Sequence, residues 1–118
     1  MSYRFMMFRV SGAVRTPDDL SEDTTDFHHP GGELQDALAR LYPRTQWHRS
    51  DEQRLIFGSL DAEDGWYEFV LYQDPSRSFS INTSPDAETR RLIPEICTSL
   101  GLVAFDGQAY VLIGTAEE

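Results

Sequence analysis

His28 and His29, with Asp26 before them and Glu33 after, are the one place in this chain where residue types resemble a metal site. Imidazole and carboxylate both ligate divalent transition ions. The spacing argues against a site, because adjacent histidines seldom bind one ion and no Cys or third His stands at a useful interval. Asp61-Ala62-Glu63-Asp64-Gly65 has the composition of a calcium loop. With Gly65 in the sixth position, however, the first ligand would be Leu60, so the register fails. The segment reads as a hairpin turn whose acids form part of a contact patch. No metal and no cofactor are expected.

Nucleophilic chemistry fares no better. Gly58-Ser59 lies inside a strand pattern, which is the wrong context for a nucleophile elbow. Cys97 is the single cysteine and falls on the apolar face of a helix pattern, as inert core. There is no Lys, so Schiff-base and phosphate-loop lysine chemistry is excluded. Asp51-Glu52 and Glu117-Glu118 are adjacent acids of the solvated kind. Arg90-Arg91 reads as surface, pairing with local acids. The expectation is a protein that is not an enzyme.

Charge points to a class of partner. Ten Arg against twenty Asp plus Glu give a net charge of −10 on 118 residues. That balance repels nucleic acid and anionic membrane surfaces and attracts basic proteins. It also serves solubility alone. No stretch approaches the roughly 18 apolar residues of a membrane span. The apolar start, 1–8, reads as a strand because it lacks a signal-peptide cleavage site. With one cysteine no intrachain disulfide forms, and a cytoplasmic location is expected.

The elements that must position any surface follow from periodicity. Residues 3–10 alternate, with Tyr3, Phe5 and Met7 on one side and Met6, Phe8 and Val10 on the other, as in a central strand. Residues 11–32 form a long acidic connection, with a short helical turn expected around 17–22. Leu34, Ala37, Leu38, Leu41 and Tyr42 make one helical stripe over 33–41, ended by Pro43. A short edge strand is expected at 45–49. Strands follow at 54–60, 66–73 and 79–83, the first two joined as a hairpin. Ser84-Pro85-Asp86 is a helix start, and Leu92, Ile93, Ile96, Cys97 and Leu100 are the buried stripe. Pro94 inside that helix should kink or split it. Gly101 should cap it. One or two closing strands are expected within 103–105 and 110–113. The sum is a single α+β domain over 1–118, two-layer and mostly antiparallel. Its two helices lie on one face, in the order β-α-β-β-β-α-β, a ferredoxin-like variant.

If the helices cover Tyr67, Phe69 and Leu71, the opposite face presents Trp66, Glu68, Val70 and Tyr72. Two amphipathic aromatics around a carboxylate resemble an interface. Trp47, with His48 and Arg49, is expected beside them. Three readings stay open for this face: cover by the 11–32 loop or the C-terminal tail, self-association, or a foreign partner or ligand.

The segment Ile96-Cys97-Thr98-Ser99-Leu100-Gly101-Leu102-Val103-Ala104-Phe105-Asp106-Gly107-Gln108 resembles the end of a group of small uncharacterised bacterial proteins. Those also close with a helix, a Leu-Gly-Leu-type cap, an apolar strand and Phe/Tyr-Asp-x-Gln. The likeness covers about the last third of the chain, and Gly107 stands where Pro is common in that group. In size and charge the chain also resembles immunity proteins that neutralise secreted bacterial toxins. This analogy implies no catalytic residues.

The resulting expectation is an acidic binding protein of the immunity or inhibitor type that captures a basic protein partner, such as a toxin. Its contact residues are Trp47, Asp61, Glu63, Asp64, Trp66, Glu68 and Tyr72, with the 11–32 acids steering the approach. The alternative is a small-molecule-binding or sensory domain acting as a homodimer.

Overall fold

Alternation along each strand sorts the sheet into two chemically different faces, and the computed structural model places the elements accordingly. It describes residues 3–10, 14–28, 30–62, 65–84 and 91–114. In chain order these are β1 (Tyr3–Val10), a 3-10 turn (Pro17–Asp19), β2 (Thr25–Asp26), α1 (Gly31–Leu41) and β3 (Gln46–Ser50). Then come β4 (Leu55–Ala62), β5 (Gly65–Tyr72), β6 (Ser78–Thr83), α2 (Leu92–Leu100), β7 (Val103–Asp106) and β8 (Val111–Ile113). Among the described residues eight strands make one antiparallel sheet, in the order β3-β4-β5-β6-β1-β7-β8, with β2 paired to the end of β1. β3 and β8 fall at the edge strand and the second closing strand expected at 45–49 and 110–113, though the summary order did not count them; β2 is additional.

The inner face carries Phe5 and Met7 from β1, Ile56 and Leu60 from β4, Tyr67, Phe69 and Leu71 from β5, and Phe79 and Ile81 from β6. Leu34 and Leu38 of α1 join the same cluster, as do Leu92, Ile93, Ile96 and Cys97 of α2. Each fully buried aromatic contributes about 1.5–3 kcal/mol. The ion pairs Arg49–Asp51, Arg54–Asp74 and Arg91–Glu95 are exposed, and such pairs contribute under about 1 kcal/mol. Apolar burial therefore holds the fold.

Both helices are positioned by their ends. Gly31 opens α1 against β5: its N–H donates to the Gln73 carbonyl at 3.3 Å, and a Cβ there would collide with the Tyr72 carbonyl. The stripe is narrower than expected, since Leu41 is 38% exposed. Gly101 closes α2 in the left-handed region at φ 68°, and the Leu102 N–H reaches the Cys97 carbonyl at 2.9 Å. Pro94 is the third residue of α2 as described; the Arg90 carbonyl, whose bond it was expected to remove, lies outside the described residues. The expected start at Pro85-Asp86 lies outside the described residues.

Candidate interaction surface

Register aligns the outer face into rows, because directly paired residues share a face. One row crosses seven strands: His48, Phe57, Val70, Ser80, Met6, Phe105 and Leu112. All but Ser80 and His48 are apolar. Beside it runs a polar row of Gln46, Ser59, Glu68, Asn82 and Arg4. Arg4 Nε donates to Asn82 Oδ1 at 2.9 Å, and Asn82 Nδ2 donates to Glu68 Oε1 at 3.0 Å. Beyond the polar row, Asp61 pairs with Trp66. Beyond the apolar row, Leu55 pairs with Tyr72.

The β7–β8 end of this face is partly covered by contacts of its own. Phe105 packs edge-on against Tyr110 with ring centroids 5.8 Å apart, and the Tyr110 hydroxyl donates to Asp18 of the 3-10 turn. Val14 and Val103 are buried yet stand outside the main cluster, and Val103 pairs with Phe8 on this outer face. Residues 14–24 thus strap the β1–β7–β8 part of the sheet.

The strap is a built structure. Asp19 Oδ2 accepts from the backbone N–H groups of Arg15 at 3.0 Å and Thr16 at 3.1 Å, and these bonds hold its carboxyl below the ordinary value. Thr24 Oγ1 donates to the Asp19 carbonyl and Thr25 Oγ1 to the Ser21 carbonyl, both at 2.7 Å. Arg77 donates to the Thr25 carbonyl at 2.6 Å and covers the Phe27 ring at 4.6 Å. Asp18 and Asp19 are therefore committed within the fold. All five acids of this segment are exposed; Glu22, Asp23 and Asp26 are the ones outside these bonds.

The uncovered part lies on β3, β4, β5 and β6. Trp66 is 37% and Tyr72 44% exposed, at opposite ends of the outer row of β5. Six residues at about 3.3 Å each set them about 20 Å apart, so they flank the patch and do not form one cluster. Leu55, Phe57 and Val70 between them are half-buried, and His48 stacks on Phe57 at 6.3 Å. Asp61 is exposed opposite Trp66 in the strand, and not within the turn. Glu63 and Asp64 lie outside the described residues. Glu68 is in place on this face, but it is hydrogen-bonded into a chain that ends in a cation.

Trp47 is corrected. It pairs with Gly58, which pairs with Phe69, so it belongs to the inner face. Its ring stacks on Phe69 at 6.0 Å, and its buried Nε1 has no hydrogen-bond partner among the described residues. The signal was Gly58: a glycine inside a strand marks close approach, here by the Trp47 ring.

Among the described residues no group of three His, Cys, Asp or Glu stands close enough to hold an ion. His28 is buried, with Nε2 2.9 Å from the Met7 carbonyl oxygen. The Cys97 thiol is pushed up to about 11 by burial. Tyr42 is pushed up by burial and by its hydrogen bond to Glu95. No helix among the described residues is long and apolar enough to cross a membrane. No family model, no curated protein and no solved structure matches the chain.

Proposed function

We propose that the chain is a non-enzymatic binding protein that captures a basic protein partner on the uncovered part of its outer sheet face. The observation that carries this reading is the pairing of exposed Trp66 and Tyr72 with half-buried Leu55, Phe57 and Val70 in a chain of net charge −10. Large amphipathic aromatics supply buried anchors at interfaces, and a surplus of acid speeds encounter with a cationic partner. Trp66 and Tyr72 are the anchors. Asp61 beside Trp66, with Glu63 and Asp64 next in sequence, supplies the acidic rim. Glu68 sets register through its polar row and is not an isolated charge.

An inhibitor or immunity-type role in the cytoplasm fits this surface, with a toxin as one kind of basic partner. The architecture reads as a two-layer ferredoxin-like variant. β7, β1, β6 and β5 are its four-strand split βαβ core, and the β3–β4 pair and β8 are edge additions. On this reading the β3–β4 addition widens the uncovered face on which the partner docks.

The test is a pull-down from the source cell at low and moderate salt, run side by side with wild type and Trp66→Ala. One stoichiometric basic protein, weakened by salt and lost with Trp66→Ala, supports the reading. Equal recovery by both forms removes the patch as the docking surface. Recovery of the chain alone transfers the face to a homodimer, the alternative with a small-molecule ligand.

A further inference from the structure

On the helix side of the sheet, away from the proposed docking face, a cleft of about 400 Å³ opens between α1, the end of β1 and the turn after α2. Leu34, Leu100 and Leu102 give it an aliphatic floor, and Arg9, Asp36 and Arg40 charge its walls. His28 also lines it and is fixed in place, hydrogen-bonded to the Met7 carbonyl at 2.9 Å and edge-on to Phe79 at 5.0 Å. Arg9 is anchored through one nitrogen, Nη1, which donates to the Phe27 carbonyl at 3.3 Å.

Asp36 and Arg40 stand four residues apart on α1, so their Cβ atoms are about 5–6 Å apart on one wall. Among the described residues neither has an ion-pair partner, whereas Arg49, Arg54 and Arg91 are each paired. The cleft therefore offers, among the described residues, unpaired cationic and anionic side chains above apolar surface. An anion alone would face Asp36 and the neighbouring Glu33. A cation alone would face Arg9 and Arg40. A molecule carrying both charges a few ångströms apart, with an aliphatic tail, answers every wall.

We propose that this cleft binds a zwitterionic α-amino acid with a branched aliphatic side chain. Its carboxylate meets Arg9 and Arg40, its ammonium meets Asp36, and its side chain lies on Leu34, Leu100 and Leu102. The volume is near the lower end of the range for ligand pockets, about 300–1,000 Å³, which suits a ligand of this size.

The test is a titration of the isotope-labelled protein, followed by amide and arginine Nε correlation spectra. Three probes are compared: L-leucine, 4-methylpentanoate, which lacks the ammonium, and 3-methylbutylamine, which lacks the carboxylate. Saturable shifts at Asp36, Arg40 and Leu102 with L-leucine alone are expected. Asp36→Asn and Arg40→Gln should each weaken them about tenfold or more, with the rest of the spectrum unchanged. No saturable shift with L-leucine overturns the proposal. So does equal binding of 4-methylpentanoate, or binding indifferent to both substitutions. The comparison of probes on wild type decides the matter even if a variant fails to fold.

Discussion

Tyr110 and Asp18, 92 positions apart in sequence, are joined by a hydrogen bond in which the phenol donates to the carboxylate. The bond ties the strap to the β7–β8 turn while the Tyr110 ring lies on Phe105. Tyr110→Phe removes the donor and keeps the ring. Amide exchange over 14–24 should accelerate, with β1 and β5 unchanged; equal exchange would show that packing alone holds the strap. The same bond raises the Tyr110 pKa above its ordinary value. A raised pKa means the stabilisation is present at neutral pH and is lost as pH climbs through the raised value, above about 10. Alkaline titration by absorbance should reveal late-ionising phenols, and Tyr110→Phe should remove one.

The two tryptophans should separate in denaturation experiments. Trp47 packs on Phe69 above Gly58, so Trp47→Ala should cost about 3 kcal/mol. Trp66 lies on the outer face, and Trp66→Ala should cost under about 1 kcal/mol. A Cβ on Gly58 would sit 2.5 Å from Trp47 Cζ3, so Gly58→Ala should overpack the site and cost about 1–3 kcal/mol. Its emission should shift to the red as the Trp47 ring is displaced. Equal losses for the two tryptophan variants would contradict the assignment of faces.

Where periodicity had several apolar residues to work with, the faces were legible. Tyr67, Phe69 and Leu71 are buried and Trp66, Glu68, Val70 and Tyr72 lie opposite, as alternation requires. Gly101 was legible because a left-handed cap favours glycine. β3 was not: Gln46-Trp47-His48-Arg49-Ser50 has one large apolar residue, so alternation defines two faces without saying which is inner. That information sat in a glycine on the neighbouring strand. A helical turn near 17–22 was legible, but the bonds that hold the strap were not, because carboxylate and hydroxyl groups meeting backbone leave no hydrophobic period. β2 is two residues long and has no period at all. The acidic loop was thereby read as a capture arm, although Asp18 and Asp19 are spent on holding it down.

Cys97 should report on the seam between α2 and β8. Burial raises its thiol to about 11, so the neutral form is favoured, and stability is lost as pH rises from the ordinary thiol value of about 8.5 through that raised value. In the native protein at pH about 8 the thiol should resist a disulfide reagent and react on unfolding. Gly114 adopts φ 85°, and a Cβ there would stand 2.6 Å from the Cys97 Cβ. Gly114→Ala should therefore push β8 away and make Cys97 reactive without denaturant. A thiol still protected in that variant would mean that the seam relaxes elsewhere.

Glu68 and Trp66 divide the binding proposal into two measurable parts. Glu68 Oε1 accepts from Asn82, and a glutamine keeps a carbonyl oxygen in that position. Glu68→Gln should thus leave stability within about 0.5 kcal/mol while deleting one charge. If the acid surplus steers encounter, association with the captured partner should slow at low salt. It should converge on wild type near 0.1 M salt, where screening acts over about 10 Å. Trp66→Ala should instead raise the dissociation rate at every salt concentration, because a buried anchor acts after encounter. Arg4 sharpens the contrast, since it lies at the far end of the same hydrogen-bonded chain. Arg4→Gln should speed association if the patch meets a cation, and slowing would reverse the sign of the partner.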